Sequence, residues 1–210
     1  MKKILLVMAV VFSLALGLPV IAKEQNASRS QIVITASQAF GEDRIENLAG
    51  YANANFLYSL NDGYSYLAAY VGPRITVGNC NIYLMGVSFS DPYGWSVGPS
   101  LWLEITQDNI YFFLEGDYYA PWLSTAGGEN PILPPHQYYG YTEFSIYLSE
   151  TNAIGVTAEL SGSAMEDRGY EFAFGPMFTF NKIKLWTFYD TTPDIPGNDL
   201  YGIRFIYVLP

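Results

Sequence analysis

Nine charged residues carry what chemistry this chain can offer. Glu104, Glu115, Asp117, Glu143, Glu159 and Glu171 fall on one parity of strand-like runs, and Lys184 and Arg204 share it. Arg74 joins them through a repeated Gly-Pro pattern described below. Charges gathered on one side of strands can do two things. They can pair with each other and with tyrosines, because an unpaired buried charge costs several kcal/mol. Alternatively, the surplus of acid can draw cations into a narrow pore. The leading expectation is a lumen plugged by pairs, with a narrow cation-favouring or small-solute channel as the alternative.

Other chemistry is thinly represented. The only histidine is His136, in the loop segment "PPHQYYG", and Ser124 and Glu129 share its loop. No nucleophile motif surrounds Ser124, so no catalytic residue is assigned; a lipid-modifying enzyme is the minor alternative. One histidine among scattered carboxylates is a poor metal set, and no metal ligand or cofactor is expected. Cys80 is the single cysteine, so no internal disulfide is possible. It reads as an ordinary turn or strand residue.

The elements that must position these groups show a period of two. "WSVGPSLWLEITQDNIYFFLEGDYY", residues 95–119, alternates apolar with small, polar or acidic residues on both sides of a turn. A two-residue loop at Gln107-Asp108 would pair Ile105 with Ile110 and Trp102 with Phe113. The same reading predicts strands at 53–60, 64–77, 80–90, 95–106, 109–119, 137–149, 153–163, 169–180, 183–190 and 200–209. "QIVITAS" at 31–37 is a further extended run, either a first strand in place of 53–60 or part of a lead-in over 23–52. "GEDRIENLAG" at 41–50 has helix-like spacing but is too short to span anything. Tight connections near Gly78-Asn79, Gln107-Asp108, 150–152 and Asn181-Lys182 alternate with longer ones such as "SDPYG" and "TTPDIPGND". Gly-Pro recurs at 72–73, 98–99 and 175–176, each time before a turn and an apolar strand, which suggests a shared bulge or kink.

The opposite parity is apolar throughout. It carries Val97, Leu101 and Leu103, then Phe112, Leu114, Phe144, Val156, Leu160, Phe174, Phe178 and Phe205, with no charge among them. Charged residues make up 14% of the chain, against roughly 25% in an average soluble domain. A soluble barrel with its polar parity outside would show a surface poor in charge, and is the third expectation. After the first segment no stretch is long and apolar enough for a membrane helix. An apolar outer band around a polar interior is what a membrane-spanning barrel needs. Tyr118, Tyr138, Tyr170, Tyr189, Tyr201 and Trp95 fall near strand ends, where an interfacial girdle would lie.

Residues 1–22, "MKKILLVMAVVFSLALGLPVIA", have the layout of a signal peptide: Lys2 and Lys3, an apolar centre, and a small-residue site at Val20-Ile21-Ala22. Its removal takes the formal charge from −10 to −12 by the loss of two lysines. Such an acidic balance disfavours nucleic acid as a partner.

The chain resembles bacterial outer-membrane β-barrel proteins over residues 53 (or 31) to 210. The final strand, "LYGIRFIY", is similar to the signal such proteins show to their assembly machinery, with Gly202, Phe205 and Tyr207 in the matching places. It departs in having Leu200 where a polar residue is usual, and in ending Val208-Leu209-Pro210. The resemblance implies an antiparallel up-and-down transmembrane β-barrel over 53–210, of about ten strands, with eight or twelve as alternatives. It also implies outer-membrane lipid and the assembly machinery as partners, and a structural or surface-exposed role in the outer membrane.

Overall fold

The computed structural model describes residues 28–61, 63–92, 94–124, 136–163, 170–191 and 200–209. The expected signal peptide lies outside them. The described chain is all β: β1 (Ser28–Ile45), β2 (Leu48–Ser59), β3 (Ser65–Val77), β4 (Cys80–Asp91), β5 (Gly94–Gln107), β6 (Ile110–Ser124), β7 (Gln137–Ser149), β8 (Asn152–Ser163), β9 (Tyr170–Phe180), β10 (Ile183–Thr191) and β11 (Leu200–Val208). Each strand pairs antiparallel with its sequence neighbour, and β1 meets β11 to close the barrel.

Eleven strands, rather than ten, have a geometric consequence. In an up-and-down chain with an odd number of strands, the first and last run the same way. Closure must therefore be parallel, and β1 and β11 pair so from Ser28–Tyr201 to Thr35–Val208. The extra strand is β1. The runs at 31–37 and 53–60 are both strands, where the sequence offered one in place of the other. The helix-like spacing at 41–50 instead belongs to the β1–β2 hairpin, which bulges between Phe40 and Ile45 and turns at positive-φ Asn47.

The ends of the barrel differ. Five two-residue turns, at 46–47, 78–79, 108–109, 150–151 and 181–182, lie at one end; at the other the connections are longer, except between β4 and β5. Asn47, Gly78, Asp108 and Asn181 take positive φ, a conformation that Gly, Asn and Asp adopt at least cost. "SDPYG" proves shorter than expected, since only residues 92–93 separate β4 from β5. The β5–β6 hairpin also turns one residue later than expected, at Asp108-Asn109. Gln107 faces Ile110, and Trp102 faces Glu115 rather than Phe113. The pairing moves by two residues, so every side chain keeps its face.

The three Gly-Pro pairs are not bulges. Register is the same before and after each: Val71–Gly86 and Arg74–Tyr83, Val97–Ala120 and Ser100–Asp117, Phe174–Tyr189 and Met177–Trp186. Between these pairs the ladder towards the following strand lapses for two residues, as expected where proline has no N–H to donate. The glycine uses the gap. A Cβ on Gly72, Gly98 or Gly175 would overlap the carbonyl oxygen of Leu84, Tyr118 or Thr187 on that next strand. The repeat is therefore a close backbone approach, made three times. Gly98→Ala is expected to cost about 1–3 kcal/mol by forcing β5 and β6 apart. Gly116→Ala, on open outer wall with no atom within 4 Å, should stay within about 0.5 kcal/mol of the parent. Equal urea midpoints for the two folded variants would refute this reading.

Side-chain parity sets the core. Large apolar residues of one parity cover the outside: Val156 is 58% exposed and Phe174 47%. Charged residues of the other parity are buried: Glu143 is 2% exposed and Arg204 6%. Inside, one apolar cluster gathers Tyr70, Tyr83, Met85, Val87, Trp102 and Tyr119. A second gathers Ala173, Met177, Trp186 and Phe188. They pack as aromatic rings in tilted and edge-on contact, such as Tyr70–Trp102 at 4.8 Å and Trp186–Phe188 at 4.7 Å.

Candidate functional site: the polar interior

The inward polar side chains come from nearly every strand, because each strand turns alternate residues inward. Arg204 is the main tie. It reaches from β11 to Glu159 on β8, with Nη1–Oε2 at 2.5 Å and Nη2–Oε1 at 3.1 Å. Its Nε donates to Gln31 Oε1 of β1 at 2.7 Å, across the parallel seam. Its guanidinium also stacks on Trp186, 4.7 Å from the ring centroid. A planar guanidinium has donors enough to serve two partners while its face rests on an indole. Tyr139 adds a hydroxyl donor to Glu159 Oε2 at 3.1 Å.

Lys184 of β10 holds Glu143 of β7 at 2.6 Å. Ser145 donates to the other oxygen of Glu143 at 2.9 Å. Glu104 accepts from Tyr83 at 2.6 Å and from Asn81 at 3.0 Å. Arg29 of β1 reaches Asp190 at 3.1 Å and Glu171 at 3.6 Å.

Glu115 and Asp117 are different. Both are more than nine-tenths buried. The ion pairs of Arg29, Lys184 and Arg204 all go to other acids. Asp117 Oδ2 accepts from Tyr119 at 2.6 Å and from Tyr70 at 3.0 Å. Asp117 Oδ1 and Glu115 Oε1 are buried without a hydrogen-bond partner.

The structure thus places all six predicted acids and the three predicted bases on strands with inward parity. It joins Glu159 to Arg204 and Glu143 to Lys184. Arg74 lies on β3, and β1 and β2 separate it from β11, so Arg74 and Arg204 are not the near neighbours that a ten-strand closure would make them. Sequence reasoning missed Arg29, Gln31 and Asp190. Asp190 shares the parity of Lys184 and Trp186, a signal that was there to use. Arg29 and Gln31 went unread because residues 23–52 read as a lead-in.

The remaining predicted residues lie elsewhere. Gly202 sits inside beneath the ring of Phe188, whose atoms a Cβ would overlap. Phe205 and Tyr207 have outward parity at the seam, paired with Ile32 and Ile34 of β1. His136 is exposed at the rim, its Nδ1 2.7 Å from the Tyr118 hydroxyl and its ring stacked on that tyrosine. Glu129 and the side chain of Ser124 lie outside the described residues. Among the described residues no three His, Cys, Asp or Glu side chains gather as a metal cluster.

No protein-family model, characterised protein or solved structure matches this chain.

Proposed function

We propose that this chain spans a bacterial outer membrane as a barrel closed by its own side chains, with a structural or surface-exposed role. One observation carries the reading: the large apolar residues are on the outside and the charges within. In water such an arrangement exposes the surface that folding ordinarily hides; in lipid it satisfies both faces. Leu101, Leu114, Phe144, Val156, Phe174 and Phe178 form the outward mid-strand band. Trp95, Tyr118, Tyr138, Tyr170 and Tyr201 are exposed towards the loop end, at the level of a lipid headgroup girdle. The partners on this reading are membrane lipid and the machinery that assembles such barrels, the latter meeting Gly202, Phe205 and Tyr207 on β11. No helix of the described residues is long and apolar enough to cross a membrane.

Eight strands enclose little more than side chains and wide aqueous channels need many more than eleven; what supports the closed reading is that two aromatic clusters project from the wall into the interior. Protein refolded from denaturant into detergent should migrate as a compact band that slows on boiling. Inserted in planar bilayers, it should give no stepwise conductance. Stable current steps would replace the plugged reading with the channel. Solubility without detergent would overturn the membrane reading altogether and leave a secreted ligand-binding barrel.

A further inference from the structure

We infer that the interior binds one hard divalent cation between Glu115 and Asp117, a site that goes beyond the membrane reading and does not depend on what covers the outer wall. The two carboxylates stand two residues apart on β6 with the same inward parity. Ser100 of β5 is directly opposite Asp117, and Trp102 is directly opposite Glu115. All four are more than nine-tenths buried. Each leaves a polar atom without a partner: Glu115 Oε1, Asp117 Oδ1, Ser100 Oγ and Trp102 Nε1.

What would satisfy all four decides the occupant. A proton shared by the carboxyls would reduce their repulsion, but it offers nothing to the Trp102 N–H. A water molecule would accept from Trp102 and donate to a carboxylate, yet it brings no charge. A partly hydrated cation supplies both. Carboxylate and hydroxyl oxygens bind the ion, and one of its waters accepts from the indole N–H. Oxygen donors favour a hard ion of the magnesium or calcium class, which commonly keeps several waters. A divalent ion suits two adjacent carboxylates, and Arg204, Lys184 and Arg29 are engaged with other acids. Tyr70 and Tyr119 both donate to Asp117 Oδ2, which orients that carboxylate and leaves Oδ1 for the ion.

The test uses the full chain folded in detergent, stripped with a chelator and dialysed against calcium or magnesium chloride, with choline chloride matching the ionic strength. Elemental analysis should find one ion per chain retained above the E115Q/D117N variant. At about a hundred times Kd the ion should raise the wild-type unfolding midpoint by roughly 5–10 °C, and the variant's not at all. S100A keeps both acids and should weaken retention several-fold, which secures the test should the double variant fail to fold. Three results would each overturn the site. The first is a wild type that retains no ion and shows no shift, as a shared proton would have it. The second is a double variant that retains as much ion as wild type, which places binding on surface acids. The third is S100A binding unchanged, which removes Ser100 from the ligand set.

Discussion

Replacing Arg204 with methionine should destabilise the barrel by about 3–5 kcal/mol, the usual result of stranding a buried charge by removing its partner. Three losses coincide. Glu159 keeps its charge but loses a two-point guanidinium contact. Gln31 loses the donor that links β11 to β1 across the seam. Trp186 loses the cation on its face. Methionine fills much of the same volume, so a cavity is not the main effect. Glu159→Gln in the same background removes the stranded charge and should restore about 1–2 kcal/mol, a coupling expected of residues in contact. Arg204→Lys should fall between, since it keeps the charge and loses the fork. Urea unfolding of detergent-folded protein reads all four chains. A loss below about 1 kcal/mol for the methionine variant, or no recovery in the double variant, would mean that Arg204 does not hold the interior together.

The outer wall yields the second large effect. Leu101 on β5 and Phe174 on β9 are exposed near the middle of their strands. If lipid covers them, Leu101→Arg and Phe174→Arg should each cost about 2–4 kcal/mol and impair assembly. Tyr201→Arg, at the loop end, should cost about 0–1 kcal/mol, because the penalty falls with distance from the bilayer centre. The two mid-strand costs should add to within about 0.5 kcal/mol, since the strands are well separated. This gradient is the informative part. A wall in water would tolerate arginine at all three depths, and a flat, small response would sink the membrane proposal while leaving the interior pairing untouched.

Much of this was legible in the chain because strand parity is robust. The hairpin between β5 and β6 shows why. Its turn was expected at Gln107-Asp108 and forms at Asp108-Asn109, moving the pairing by two residues. Side chains alternate with a period of two, so the shift left Glu115 and Asp117 inside and Leu114 outside. Glu143, Glu159 and Lys184 were placed by the same arithmetic. The Gly-Pro repeat was visible too, but its meaning was not. Whether such a pair bulges or lets two backbones close together depends on the neighbouring strand, which the local sequence does not contain.

What stayed hidden depends on closure. The alternation in residues 53 to 209 determined by itself which side chains share a face, and the types of residue on each face made a barrel with an apolar wall the economical solution. These are local properties, carried by backbone pleating alone. Only the tertiary structure decided that β1 joins the wall, that eleven strands force a parallel seam, and which acid meets which base. Gln31 and Arg204 are 173 residues apart in sequence and one hydrogen bond apart in space. That contact exists only when the sheet curves back on itself, bringing strands that share no turn within reach across a common interior. Charge pairing follows the ring of strands, and the ring is a property of the closed sheet rather than of any segment within it.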